Sequence, residues 1–248
     1  MNNLAIVFDL DETIGSFSQL SIIWKVLNKI EILTNNSELG QIQFNKLLNH
    51  FNKILRPNIL QSFKYLLQNK NSNDKIVLYT NNQVGKRWVI MIKNYLEHVL
   101  DNSLFDFIIF AYLINGKIVD PLRTTINKTQ NDLLRCTNLP ISTRICFIDD
   151  KYYPNLGESK QVYYIKLEAY KYKLPWKIML EEIDQLNIIK KSVISLEQTL
   201  NNKFEINKEE QIYINQNFLK KIIFFWKKNK NKTLKYKIFH QKSRKVKL

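Results

Sequence analysis

Ala5-Ile-Val-Phe-Asp-Leu-Asp-Glu-Thr-Ile14 is the stretch on which the fold of this chain turns. A short apolar run, Leu4 to Phe8, ends in two carboxylates two residues apart, Asp9 and Asp11, with Thr13 two further on. In a strand, residues i and i+2 share a face. Both carboxylates then point the same way at the strand's carboxyl end, where open α/β sheets place their sites. Two like charges so close need a cation or a shared proton. Asp-x-Asp alone also suits a surface turn; at a strand end it suits a magnesium-assisted nucleophile paired with a general acid.

Four further runs read as strands: Lys75–Tyr79, Phe105–Ala111, Arg144–Ile148 and Val162–Ile165. They are short, apolar and rich in β-branched or aromatic residues, as strands buried on both faces should be. Between them Ser18–Ile32 and Ile42–Leu55 carry apolar residues at helical spacing. Pro57 is set to open a helix over Asn58–Gln68. Val84–Leu100 reads as another helix and Thr129–Arg135 as a short one. Alternation of this kind predicts an α/β protein with a parallel, doubly wound, Rossmann-like sheet. Ile114-Asn-Gly-Lys117 has the form of a two-residue hairpin turn of the primed type.

Beyond Pro175 the pattern becomes helical, with Trp176–Ile189 and Lys190–Leu200 as candidates and a polar stretch at Asn201–Glu210. The expected organisation is a catalytic unit over residues 1–175, with a helical insert at about 16–70, and a helical extension over 176–248. In the segment Phe218–Lys228 the apolar side chains fall on one arc and the lysines on the opposite one, with Phe224 out of place.

The 248 residues are enough for one α/β domain plus an extension, and 45% hydrophobic content is enough for a packed interior. No apolar run approaches the ~18 residues of a membrane span. The chain enters its first strand without the features of a signal peptide. Cys136 and Cys146 lack metal-ligand spacing and read as reduced thiols. An intracellular location, cytoplasm or nucleus, is the expectation. Three histidines, none in a zinc pattern, disfavour histidine-based hydrolysis. The net charge of +16 is uneven: residues 211–248 hold 12 Lys/Arg and no Asp/Glu, against 26 basic and 22 acidic residues before them. Only six of the basic residues are arginines, and Lys, Asn and Ile are abundant, so part of the basicity follows from AT-rich codon usage.

Three signals extend the opening motif. Leu78-Tyr-Thr-Asn-Asn82 puts Thr80 off the end of the second strand, followed by Asn81. Arg123-Thr-Thr-Ile-Asn-Lys128 places a lysine ahead of a short helix. Ile145-Cys-Phe-Ile-Asp-Asp150 delivers two more carboxylates from another strand end. Each alone also suits a turn, a cap or a solvated loop; their order and placement join them.

The combination resembles the haloacid-dehalogenase-like (HAD-like) superfamily, over roughly Leu4 to Tyr164. Asp9-Leu-Asp-Glu-Thr13, Arg56-Pro-Asn-Ile-Leu60 and an arginine ahead of the lysine are similar to the branch of RNA polymerase II C-terminal-domain phosphatases. The stretch is closer still to uncharacterised superfamily members of large DNA viruses. The resemblance implies roles. Asp9 attacks phosphorus and becomes an aspartyl phosphate. Asp11 serves as acid and then base, and its backbone carbonyl helps hold Mg²⁺. Thr80 donates to a phosphoryl oxygen beside Asn81. Lys128 balances the charge of nucleophile and phosphate. Asp150 anchors Mg²⁺ with Asp9, and Asp149 either assists the metal or holds Lys128. Thr129-Gln130 and Asp149-Asp150 depart from the branch's usual Asp-Leu and Asp-Asn, which loosens any transfer of substrate specificity.

The implied protein is a Mg²⁺-dependent phosphomonoester hydrolase acting on a phosphoprotein, with nucleic-acid ends as the alternative substrate and a catalytically silent binding protein as the rival class. The helical insert either caps the site or packs on the sheet. For residues 211–248 the readings are a packed helix with a solvated tail, an electrostatic tether to nucleic acid, or peripheral contact with an anionic membrane.

Overall fold

The computed structural model describes residues 3–189, 210–211 and 218–230. Five strands form one fully parallel sheet: β1 (Leu4–Phe8), β2 (Lys75–Tyr79), β3 (Phe107–Ile109), β6 (Arg144–Asp149) and β7 (Val162–Lys166), in spatial order β3-β2-β1-β6-β7. The first strand is thus central, with Ala5 beside Lys75 on one flank and Ile145 on the other. Every side chain of β1 is buried, as the unbroken apolar run predicts. Ile6 and Phe8 join a large cluster on one face; Ala5 and Val7 join a smaller one on the other.

The larger cluster is covered by α1 (Ser18–Asn35), α2 (Gln41–His50), α3 (Ile59–Asn69) and α4 (Lys86–Leu100). The first three are the expected insert. Leu20, Ile23, Phe44, Leu47 and Phe63 pack with Ile6 and Phe8, so these helices lie on the sheet. The smaller cluster is closed by Leu133 of α5 (Gln130–Thr137) and Leu156 of α6 (Pro154–Gly157). A hairpin of β4 (Leu113–Ile114) and β5 (Lys117–Ile118) turns through Asn115 and Gly116, both at positive φ (50° and 75°), as the primed turn requires.

Several boundaries differ from expectation. β3 is shorter than Phe105–Ala111 because the Glu97 carboxylate takes the Leu104 and Phe105 amides and Asp120 takes that of Phe110. The run Ile42–Leu55 splits into α2 and a 3₁₀ turn, Asn52–Ile54. The break at Phe51 brings Leu55 against Gly15 in an antiparallel bridge. α3 begins at Ile59, behind Asn58 in the left-handed region (φ 66°), so Pro57 precedes the helix rather than opening it. α4 starts at Lys86 because the Asn82 side chain caps Val84 N in a tight turn. Thr129 is the cap of α5, accepting from Asp132 N, and not its first residue.

The extension packs on the same body. α7 (Trp176–Gln185), shorter than Trp176–Ile189, contributes Trp176, Met179 and Leu180 to the larger cluster. A last helix, α8 (218–230), adds Phe218, Ile222, Phe225 and Trp226. Phe225 stacks on Tyr163 of β7 with centroids 5.6 Å apart, while Phe224 is 56% exposed. The apolar arc of α8, Phe224 apart, is therefore packed on the protein. Two-residue strands β8 (Tyr172–Lys173) and β9 (Glu210–Gln211) pair antiparallel. The expected helix at Lys190–Leu200, the polar stretch before Glu210 and the lysine-rich end beyond 230 lie outside the described residues. No helix among the described residues is long and apolar enough to cross a membrane.

Candidate active site

In the order β3-β2-β1-β6-β7 the chain reverses direction of travel between β1 and β6, which makes a crevice at their carboxyl ends. Asp9 leaves β1 at that point, its amide donating to Ile148 O at 2.9 Å. Asp149 closes β6 and Asp150 follows. Carboxylate oxygens of Asp9, Asp149 and Asp150 lie within 4.8 Å of one another. An all-oxygen set of this kind fits a hard divalent cation.

Lys128 is the counter-charge. It is 1% exposed, donates to Asp9 Oδ1 and, at 2.7 Å, to Asp149 Oδ2. The rings of Tyr79, Phe147 and Tyr153 lie 5.7, 5.8 and 5.7 Å from its ammonium. Burial works against the charged form, yet Asp9 and Asp149 outweigh it and hold its pKa above the ordinary lysine value. Lys128 is therefore a fixed cation. Asp149 spends its second oxygen on Lys151 N at 2.7 Å, which leaves Asp9 and Asp150 the freer ligands.

Asp11 faces the crevice from the next turn. Burial first, and the nearby Asp9 second, raise its pKa to about 6, against an opposing hydrogen bond from Asn82 Nδ2 at 2.8 Å. A carboxyl so placed keeps a proton available near neutrality. Asp150 is likewise pushed up, by burial and by Asp9.

Thr80, 1% exposed, follows β2; its oxygen accepts from Asn82 N at 3.0 Å, which leaves the hydroxyl proton to donate. Asn81 is held rather than free: its Oδ1 accepts from Arg123 Nη1 at 2.7 Å and its Nδ2 donates to Tyr153 Oη at 3.3 Å. All seven residues singled out in the sequence thus meet at the carboxyl end of the sheet.

Four others were not singled out for a role. Thr13 exchanges hydrogen bonds with Asp150, accepting from its amide at 3.0 Å and donating to Oδ1 at 3.3 Å. Asn82, not Asn81, is the partner of Asp11. Arg123 ties Asn81 to the carbonyls of Phe110 and Ile126. Arg56, 1% exposed, donates to the Glu12, Thr13 and Glu168 carbonyls at 2.6, 2.6 and 2.7 Å. Glu12 sits at φ 59°, a strained turn that Arg56 pins. The fixed place of Thr13 in Asp-Leu-Asp-Glu-Thr was the available signal for it; the arginines showed only as members of a resemblance. Replacing Arg56 by methionine is expected to cost about 2–4 kcal/mol in chemical denaturation, because it removes three charge-assisted hydrogen bonds, among them the one to the buried Thr13 carbonyl.

The fold and crevice define an α/β protein with a five-stranded parallel sheet and a carboxylate–lysine site at its switch point. No protein-family model, curated protein or solved structure matches the chain.

Proposed function

We propose that this chain is a HAD-like, Mg²⁺-dependent phosphomonoester hydrolase working through an aspartyl phosphate on Asp9. The observation that carries the reading is Lys128, buried between Asp9 and Asp149 beside a carboxyl, Asp11, that holds its proton near pH 6. A purely structural ion pair needs neither a third and fourth carboxyl nor a free strand-end hydroxyl.

In the proposed reaction a carboxylate oxygen of Asp9 attacks phosphorus, and the bond from phosphorus to the ester oxygen breaks. Asp11 gives its proton to that oxygen as it leaves. Thr80 donates to a phosphoryl oxygen, and the charge of Lys128 offsets that of Asp9 and of the incoming anion. Water then attacks the aspartyl phosphate, and Asp11, now a carboxylate, takes its proton. Inorganic phosphate departs and Asp9 is restored. Asp9 and Asp150, with the Asp11 carbonyl, would hold Mg²⁺, which supplies positive charge against the phosphoryl oxygens. The test is turnover of a phosphomonoester panel with and without Mg²⁺; folded protein inert towards the whole panel would overturn the reading.

Metal binding has its own readout. Asp11, Asp149 and Asp150 all have pKa values raised chiefly by burial. The folded protein then holds protons that the unfolded chain has released, so without metal its stability falls as pH rises from about 4 to about 6. Mg²⁺ held by Asp150 would compete with its proton and, by its charge, favour the ionised form of the neighbouring carboxyls. Its stabilisation is expected to be larger at about pH 7.5 than at about pH 5. At a hundredfold excess over Kd it amounts to about 2.7 kcal/mol, roughly 5–10 °C in melting temperature. Asp150→Asn should lose most of that gain.

The proposed substrate is a phosphoprotein, because the insert helices pack on the sheet with its core residues, and the start of α1 forms one wall of the crevice beside Asp11. For the basic end we propose an electrostatic contact with nucleic acid. α8 commits its apolar face to the core, and its Lys230 lies 3.6 Å from Asp74. Cutting before α8 would therefore remove core residues. Deleting residues 231–248 instead is expected to abolish salt-sensitive nucleic-acid binding; undiminished binding refutes the contact.

A further inference from the structure

The crevice continues past Asp11 into a cavity of about 310 Å³. Its walls are Phe17 and Ile22, from the start of α1, and Val84 and Trp88, from the start of α4. Ser18, Ser21 and Asn82 also line it, together with Asp11 and Glu12. Among the described residues no lysine or arginine lines it.

Resting on the phosphatase reading, the geometry points to this cavity as the leaving-group site, taking phosphate monoesters of compact, apolar, ring-bearing alcohols. In an in-line displacement the nucleophile and the leaving oxygen stand on opposite sides of phosphorus. The acid must lie within hydrogen-bond reach of that oxygen. Asp11 is the acid, so the carbon skeleton of the departing alcohol starts at Asp11, where the cavity starts. Four apolar side chains then meet it.

The lining also excludes. A nucleoside bisphosphate, a nucleic-acid end or a sugar bisphosphate brings a further phosphate, which would be buried beside Asp11 and Glu12 with no cation among the lining residues to pair it. A sugar would set hydroxyls against Phe17, Ile22, Val84 and Trp88, with Ser18, Ser21 and Asn82 the only neutral polar side chains in the lining. At about 310 Å³ the cavity is at the small end of ligand sites, roughly 300–1,000 Å³, and suits one ring rather than a nucleoside with its neighbours. Phosphotyrosine in a polypeptide and a free aryl or benzyl phosphate share this chemistry. Nucleic-acid ends do not.

The test compares benzyl phosphate with glycerol phosphate, both esters of primary alcohols with similar leaving groups, on the full chain with Mg²⁺. We expect kcat/KM to favour benzyl phosphate tenfold or more. Turnover of both esters within threefold of each other overturns the assignment and leaves the phosphatase reading standing. No turnover of either ester, nor of any other phosphomonoester, removes both. Ile22→Glu, at a half-buried wall position, should collapse the preference ratio; an unchanged ratio in the folded variant also overturns the assignment. A phosphotyrosine peptide run against phenyl phosphate separates the two sources: better turnover of the peptide assigns the site to a protein side chain, and better turnover of the free ester assigns it to a small aryl phosphate.

Discussion

Lys128→Met is expected to destabilise the protein by about 3–5 kcal/mol, the cost of leaving buried charge without its partner. For a chain of this size that is roughly 10 °C in melting temperature. The ammonium touches both Asp9 and Asp149 and is shielded by three rings, so water has no room to replace it. Methionine keeps the volume and the packing against Tyr79 and Phe147, which isolates the charge. The loss should grow with pH, because below about pH 6 the crowded carboxyls can take protons in place of the lysine. Equilibrium denaturation at several pH values measures this. A loss below about 1 kcal/mol at neutral pH would mean that Lys128 behaves as a surface pair.

Asp9→Asn is expected to abolish turnover, by about 10⁴-fold or more, because an amide cannot form the covalent intermediate. The substitution is nearly isosteric, and its amide oxygen can still accept from Lys128. Melting should therefore change far less than in the lysine variant. The pairing of a large catalytic loss with a small stability loss separates a nucleophile from a structural carboxylate. A stability loss equal to that of Lys128→Met, or activity within tenfold of the parent, would count against Asp9 as the attacking group.

The central parts of the fold were legible because they are locally coded. Apolar runs marked β1, β2, β6 and β7 to within a residue or so, and Asn115-Gly116 marked the hairpin. Failures came where a distant side chain decided the outcome. Glu97 shortens β3 from its start, and nothing near Phe105 shows it. The break after α2 answers to Gly15, forty residues earlier along the chain. In the site, strand-end carboxylates and Thr80 were readable because their position after an apolar run fixes where they point. The division of labour between Asp149 and Asp150 was not. It depends on which carboxylate meets Lys128 and which meets Thr13, and both contacts cross more than twenty residues of chain.

The strand that begins the described chain sits in the middle of the sheet, between β2 and β6. During synthesis Asp9 emerges early but waits for Asp150, with Thr13 and Asp150 themselves separated by 137 positions. Pairing over such spans closes large loops and forms late. A nascent chain that stops before β6 lacks one flank of its central strand, one of the two carboxylates of Lys128, Asp149, and one of the proposed metal ligands, Asp150, together. Activity would then appear all at once, in the same step that completes the sheet, and refolding followed by turnover should coincide with refolding followed by core fluorescence.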